Sequence, residues 1–431
     1  MRILILGAAT TGGYASIHLN RRIDGGGWVE NLLSCLQETG LIDEIHAAFY
    51  TDAVDCVTSG EVDGVCYHAL PAWIRDLRDC NQRMLRDLET LSEQVRPDVL
   101  HIIGTERRYA YELARMVGMH KTVVSVTGLV SVLEKHAYGG IDVLHFALPS
   151  LGDILRGGGP VRERRRFIRQ GRYERKLLQQ AECVMGRTTW DYACATQINP
   201  AIQYIRCGEI LNPLYALKRW DVRKKQKHRI FVSQGAYALK GLHMLLEALP
   251  YLFGKYPDCT VYIAGTDLTR CEGMTDRLKR TTYARFLMKR MKQLNIAANR
   301  VHFTGPLNAE EMVEQYLSCH VFVLPSAIEN SPNSLGEAMR LGVPCVASCV
   351  GGVQDMLRDR VDGFLYPFDE PYMMAHYMER FFESDELCVQ MGSHAREHAE
   401  KRFQAQEVVE TTLQVYRKIV EKQGPSHADA Q

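Results

Sequence analysis

Short, uninterrupted apolar runs punctuate the chain: RILILGA, EIHAAFY, DVLHII, TVVSVTG, ECVMGRT and IQYIRCG, then RIFVSQG, TVYIAG, VHFTG, HVFVLPS and PCVAS. Runs of this length with no polar alternation predict parallel strands covered on both faces. Between them lie amphipathic stretches such as WVENLLSCLQETG, closed by Gly40, which predict helices. Strand and helix in alternation predict right-handed crossovers and the α/β class.

The periodicity lapses over residues 211–228, LNPLYALKRWDVRKKQKH, where the chain turns basic. The predicted organisation is therefore an N-terminal Rossmann-like domain over 1–212, a linker over 213–228 and a C-terminal Rossmann-like domain over 229–402. FQAQEVVETTLQVYRKIVEK predicts a closing helix over 403–422, and the polar tail 423–431 is expected to be disordered. In doubly wound sheets ligands bind beyond the carboxyl ends of the strands, so the loops there, and a cleft between the two halves, are the expected site.

At 431 residues the chain exceeds what one core usually serves, which supports two domains. Its net charge of +1 gives no reason to expect nucleic acid. Thirteen cysteines, without a C-x-x-C pair, fit a reducing cytoplasm better than a disulfide framework. No run of eighteen apolar residues occurs, and the first residues lack the basic start and cleavage site of a signal peptide. The expectation is a cytoplasmic protein, soluble or peripheral at the inner face of a membrane.

The most specific stretch is PSAIENSPNSLGEAM, residues 325–339, in which Glu329 and Glu337 stand eight positions apart around a Ser-Pro-Asn-Ser turn. Ser334-Leu335-Gly336-Glu337 has the S-x-x-E form of a capping box, which predicts a helix from Ser334 to about Gly342. The amides of Leu335, Gly336 and Glu337 would then face a phosphate. By spacing alone, a capping Glu337 and a solvated Glu329 are an equally good account.

The order of features here resembles the E-x7-E signature of the family 4 retaining glycosyltransferases, which have the GT-B fold. The resemblance extends over the second half: YIAG and VHFTG resemble the strands flanking the nucleotide base, GVPCVASCVGGVQDML the G-x-P segment, and DGFLYP the segment after it. It implies that Glu337 binds the donor ribose and that Glu329 lies near the donor sugar. It implies that Asn333, Ser334 and Leu335 hold the sugar and diphosphate, with Gly235 and Gly305 also lining the donor site. Lys240, in QGAYALKGLHMLLEAL, matches the lysine that neutralises the diphosphate. Such a fixed cation stabilises a departing nucleoside diphosphate as its charge grows.

Three departures from the family pattern matter. Ser-Pro-Asn replaces the commoner Phe-Gly between the glutamates. Ser233-Gln234-Gly235 stands where the family carries a second diphosphate cation, and Arg187, in MGRTTWD, is the candidate substitute. Thr127 stands where the family often has an active-site histidine; His136, in VLEKHAYGG, is the candidate to reach the site, or an incidental loop residue.

In the first half, GAATTGG is neither a Walker A loop nor a dinucleotide fingerprint. Gly26 and Gly27, in GGGWVENLL, best match the family's phosphate and acceptor loop, or form a plain flexible loop. Residues 162–176, RERRRFIRQGRYERK, hold eight basic residues against two acids. They form a solvated helix face or a surface for anionic lipid or a lipid-diphosphate acceptor.

The MGRTTWDYACATQINPAIQYIRCGEIL stretch resembles a subgroup of bacterial polysaccharide-building enzymes. The resemblance implies retaining transfer from a nucleotide-diphosphate sugar, a UDP-sugar favoured, to a glycan or lipid-linked glycan. The family's front-face route needs no enzymic nucleophile. No D-x-D or zinc spacing is placed to bind a metal, so neither metal nor cofactor is expected. The alternatives are a GT-B-like epimerase or phosphorylase and a non-catalytic nucleotide-sugar-binding protein; a dehydrogenase lacks its glycine fingerprint.

Overall fold

The computed structural model describes residues 1–7, 14, 18, 27–73, 80–155, 158–270, 273 and 278–424. The chain divides into two compact units, Met1–Ser131 with Ile168–Leu211 and Phe403–Gln431, and Val132–Phe167 with Asn212–Arg402. The predicted glycine-loop residue Gly26, the GAATTGG loop beyond its first glycine, and tail residues 425–431 lie outside the described residues.

The first unit is built on eight strands: β1 (Arg2–Leu6), β2 (Glu44–Thr51), β3 (Thr58–Val62), β4 (Val65–Pro71), β5 (Val99–Ile103), β6 (Thr122–Ser125), β7 (Cys183–Gly186) and β8 (Gln203–Arg206). Their order is β3-β4-β2-β1-β5-β6-β7-β8. All neighbours pair in parallel except the β3–β4 hairpin. Ile3, Leu4, Ile5 and Leu6 are all but inaccessible to solvent, as continuous apolar strands covered on both faces must be.

The β3–β4 hairpin escapes the apolar-run criterion because TSGEV is largely polar. Its signal is Asp63-Gly64, both left-handed at φ 51° and 75°, which is the two-residue turn that fits the strand twist. The helix Ala405–Lys422 returns to this unit, as expected of a closing helix, and puts Val408, Leu413, Tyr416 and Ile419 into the core with Leu32, Leu36 and Ile5. His101, buried in β5, faces the Tyr416 hydroxyl at 2.7 Å through Nδ1 and the Ser125 hydroxyl at 2.7 Å through Nε2.

The second unit contains six parallel strands: β9 (Arg229–Val232), β10 (Thr260–Ile263), β11 (Val301–Phe303), β12 (Val321–Leu324), β13 (Cys345–Ser348) and β14 (Phe364–Tyr366). Their order, β11-β10-β9-β12-β13-β14, reverses direction between β9 and β12. That reversal is the topological switch point of a doubly wound sheet.

Two boundaries differ from the sequence reading. Residues 132–167, expected in the first domain, belong to the second unit, where the His243 ring bonds the Gly139 carbonyl at 2.8 Å through Nε2 and the Thr282 amide bonds Asp153 at 3.0 Å. The expected linker 213–228 is also part of the second unit. Trp220 is buried there, its amide donating to the Leu341 carbonyl at 2.8 Å and its indole N–H to the Cys319 carbonyl at 2.8 Å.

Candidate active site

At the switch point, β9 runs into residues 233–241 and β12 into residues 325–332, and the strands pair directly. Gly241 lets the first loop pass the second closely. Its φ is +68°, and a Cβ would stand 1.6 Å from the Pro325 carbonyl oxygen, so no other residue fits. The Ala327 amide donates to the Leu239 carbonyl at 2.8 Å and ties the loops together.

This closeness brings Lys240 Nζ to 2.7 Å from Glu329 Oε1, and the Ser326 hydroxyl donates to the same oxygen at 2.7 Å. The loop after β13 holds the other side of the glutamate: the Gly352 amide donates to the Glu329 carbonyl at 3.0 Å. Gly351 is left-handed there, with no room for a Cβ against that carbonyl. Burial alone would lower the Lys240 pKa, but Glu329, with Tyr237 and the hydrogen bond, outweighs it and raises the ammonium above its usual value. Lys240 is therefore a charged group held at the carboxyl ends of the two central strands.

Glu337 lies on the helix Asn333–Leu341 and is half-buried. Tyr316 Oη is 3.1 Å from Glu337 Oε2 and 3.0 Å from the Ser334 carbonyl, and Tyr215 also hydrogen-bonds the carboxyl. Burial pushes the Glu337 pKa from 4.5 up to about 7, against the lowering effect of the two hydroxyls. It is thus a carboxyl poised near neutrality.

The expected capping box is not formed. The helix starts one residue earlier, at Asn333, with Pro332 as its N-cap and no side-chain cap, because the Glu337 carboxyl is engaged by the tyrosines. The expected free amides of Leu335 and Gly336 both donate to the Pro332 carbonyl, at 3.0 and 3.3 Å. Among the described residues, the first-turn amides of Asn333 and Ser334 have no protein acceptor instead. The Asn333 side-chain oxygen is also buried without a partner.

Gly305 pairs with Gly265 in an isolated bridge beyond the ends of β10 and β11, with N–H···O distances of 2.9 and 3.1 Å. Both have positive φ, and open space lies where each side chain would be. Gly235, by contrast, is a packing glycine: a Cβ there would come 2.7 Å from Leu242.

His136 sits in a turn of the second unit, half-buried, and burial followed by Lys135 lowers its pKa. The turn packs on the Lys240 turn through Gly139, where a Cβ would stand 2.2 Å from the Ala238 carbonyl oxygen. Arg187 is in the first unit, where its Nε is 3.1 Å from the buried Glu209 and its guanidinium lies 4.5 Å over the Trp28 ring. Gly27 opens the helix Gly27–Glu38 of the same unit and is exposed. Thus Lys240, Glu329, Glu337, Asn333, Ser334, Leu335, Gly305 and His136 fall in the second unit, and Arg187 and Gly27 in the first.

Sequence reasoning missed Tyr316, Tyr215 and Ser326. The tyrosines sit at apolar positions of a helical pattern and of a supposed linker, where only core packing was legible. Among the described residues no cluster of three or more His, Cys, Asp or Glu side chains is placed to hold a metal ion.

The structure thus sets a cation and a carboxylate, Lys240 and Glu329, on the loops at the switch point of a doubly wound sheet, with a second carboxyl, Glu337, on the helix that follows. The chain has the GT-B fold: it aligns with the sucrose-phosphate synthase of Thermosynechococcus elongatus at TM-score 0.72 and 16% identity, over 98% of this chain and 100% of that one. It aligns with Anabaena HepE, in complex with UDP and glucose, at TM-score 0.63 and 16% identity, over 97% and 99%.

Residues 216–398, the segment that carries the switch point, match the family described as Glycosyl transferases group 1. The chain is similar over part of its length to D-inositol 3-phosphate glycosyltransferases. The Corynebacterium urealyticum protein is 28% identical over 196 residues, 44% of this chain and 43% of that one. The Streptomyces griseus protein is 31% identical over 170 residues, 38% and 33%. The matches span less than half the length of these curated relatives.

Proposed function

We propose that the protein is a retaining glycosyltransferase that moves a sugar from a nucleotide-diphosphate donor, a UDP-sugar, to a glycan or lipid-linked glycan in polysaccharide biosynthesis. The observation that carries this reading is the Lys240–Glu329 pair at the switch point, 2.7 Å apart. It supports a site in which a fixed cation meets the diphosphate and a fixed carboxylate meets the sugar beside it.

In this reading Lys240 stabilises the negative charge that grows on the departing diphosphate, aided by the amides of Asn333 and Ser334. Glu329, held by Ser326 and the Gly352 amide, accepts hydrogen bonds from donor-sugar hydroxyls. Glu337 accepts from the ribose hydroxyls, and the open faces of Gly265 and Gly305 admit the flat base. The leaving phosphate takes the acceptor proton, so neither an enzymic nucleophile nor a metal is required of the protein. The solved complex of HepE with UDP and glucose supports the choice of a UDP-sugar. A lipid-linked acceptor is supported by the basic helix Pro160–Gln180, on which Arg165, Arg172 and Lys176 are exposed.

The test is release of UDP from a panel of UDP-sugars in EDTA, with the anomeric configuration of the product read by NMR. Turnover of one donor with retention, lost in Lys240→Ala, is expected. Inversion, or a requirement for added Mg²⁺ or Mn²⁺, would overturn the mechanism.

A further inference from the structure

A group of exposed apolar side chains in the second unit has no place in the transfer chemistry. Leu144, Leu148, Ile154 and Leu155 are 76, 85, 60 and 72% exposed, and Leu151 and Leu278 about half. Scattered exposed leucines are ordinary on a protein surface, but a cluster of this size marks an interaction site.

The exposure is built into the segment. Phe146 is buried and packs against Tyr138 and Phe286, with ring centroids 5.6 and 6.5 Å apart. Asp153, also buried, accepts from the Ser150 and Thr282 amides at 3.0 Å each and from the Thr282 hydroxyl. Gly152 lies against the Lys279 carbonyl, where a Cβ would stand at 2.2 Å. The polar and aromatic residues of the segment thus fasten it down on residues 279–286 and leave the leucines outward.

Among the described residues, the exposed charges around it are mostly basic. Arg162 and Arg165 are exposed in the first turns of the helix that follows, and Lys279, Arg285 and Lys289 are exposed on the stretch to which the segment is fastened. Of the described acids nearby, Glu134 pairs with Arg164 at 3.3 Å and Glu163 with Arg166 at 3.1 Å, while Asp142 stays an exposed carboxylate that accepts from the Leu144 amide at 2.9 Å.

We propose that residues 143–155 form a docking ridge that inserts shallowly into an anionic lipid surface, its leucines at the acyl boundary and the surrounding Arg and Lys at the phosphates. An apolar ridge ringed by positive charge is repelled by a second copy of itself, whereas a bilayer bearing anionic headgroups complements both features. The ridge stands apart from the transfer reaction and holds whatever the acceptor is.

The test is flotation of the full chain with phosphatidylcholine vesicles with and without phosphatidylglycerol. Wild type is expected to float with the anionic vesicles and poorly with the zwitterionic ones. The double substitution Leu148→Glu with Leu155→Glu is expected to weaken binding by about tenfold or more, with Tm unchanged because both sites are exposed. Arg285→Glu with Lys289→Glu is expected to erase the preference for phosphatidylglycerol. Wild type that fails to float, or leucine variants that float as wild type does, would overturn the proposal. A wild-type dimer, seen by light scattering, that the leucine substitutions dissociate without any vesicle binding would also overturn it, making the ridge a self-association face.

Discussion

Lys240 Nζ and Glu329 Oε1, 89 residues apart in sequence, lie 2.7 Å from each other where β9 and β12 end side by side. Neither residue is on a regular strand or α-helix, yet both are fixed: Lys240 by the Gly241 crossing, Glu329 by Ser326 and the Gly351–Gly352 turn. The cation reaches the site already charged and already oriented, as leaving-group stabilisation requires.

Removing the cation tests this directly. Lys240→Ala should lower kcat by about 10²–10³, the size seen when one preorganised charge-stabilising donor is lost. It should also cost about 1–3 kcal/mol of stability, because Glu329 loses a charged partner while largely shielded from water. Lys240→Arg should restore the stability better than the rate. Steady-state kinetics and thermal denaturation separate the two effects.

Glu337 gives the protein a pH signature. With its pKa raised to about 7, the folded state keeps a proton that the unfolded chain releases near 4.5. Its contribution to stability is therefore greatest below 4.5 and declines as pH rises to about 7, by roughly 1–3 kcal/mol. Nucleotide binding should run the other way. Ribose hydroxyls donate to the ionised carboxylate, so affinity should rise with pH through about 7 and then level off. Glu337→Gln should flatten both profiles; a wild-type affinity already flat from pH 6 to 8 would contradict the assignment, where these limits are about one unit either side of neutrality.

Two glycines of the site should respond differently to the same change. Gly241→Ala drives a methyl into the Pro325 carbonyl and should cost about 3 kcal/mol or more, read as a loss of folded protein. Gly305→Ala meets open space and should cost only the left-handed strain of about 1–2 kcal/mol. It should nevertheless weaken nucleotide binding, because the methyl enters the space proposed for the base.

Arg187 should behave as a structural residue. Arg187→Ala strips the buried Glu209 of its guanidinium, and a loss of about 3–5 kcal/mol is expected from breaking such a pair. Nucleotide affinity, corrected for the folded fraction, should stay as in wild type. A loss of affinity equal to that of Lys240→Ala would instead mean that Arg187 supplies the missing diphosphate cation.

Much of this was legible in the sequence, for physical reasons that differ between elements. Parallel strands announce themselves because both faces are buried, so RILILGA and HVFVLPS could be read without knowing their neighbours. The Asp63-Gly64 hairpin was hidden because its outer strand is an edge of polar residues. Residues 132–167 were placed in the wrong half because no break in composition marks where the chain joins the second unit; the deciding partners, Thr282 and His243, lie more than 100 residues on. At the site, the family resemblance rather than spacing singled out Glu329, Glu337 and Lys240, whereas the S-x-x-E pattern misled: a nearby tyrosine hydroxyl outcompetes a helix amide for the Glu337 carboxyl. The pattern shows which groups could pair, and only the fold decides which do.

In the proposed function Glu337 and Lys240 belong to one nucleotide-sugar site. Thermal shift with UDP, GDP, ADP and CMP, on wild type, Glu337→Ala and Lys240→Ala, tests it most directly. A ligand at about 100 times its Kd should stabilise the folded state by about 2.7 kcal/mol. UDP is expected to raise the Tm of wild type, and both substitutions are expected to remove most of that rise. If no nucleotide stabilises wild type, or if UDP stabilises both variants as fully as it does wild type, the two residues do not hold a donor and the account is wrong.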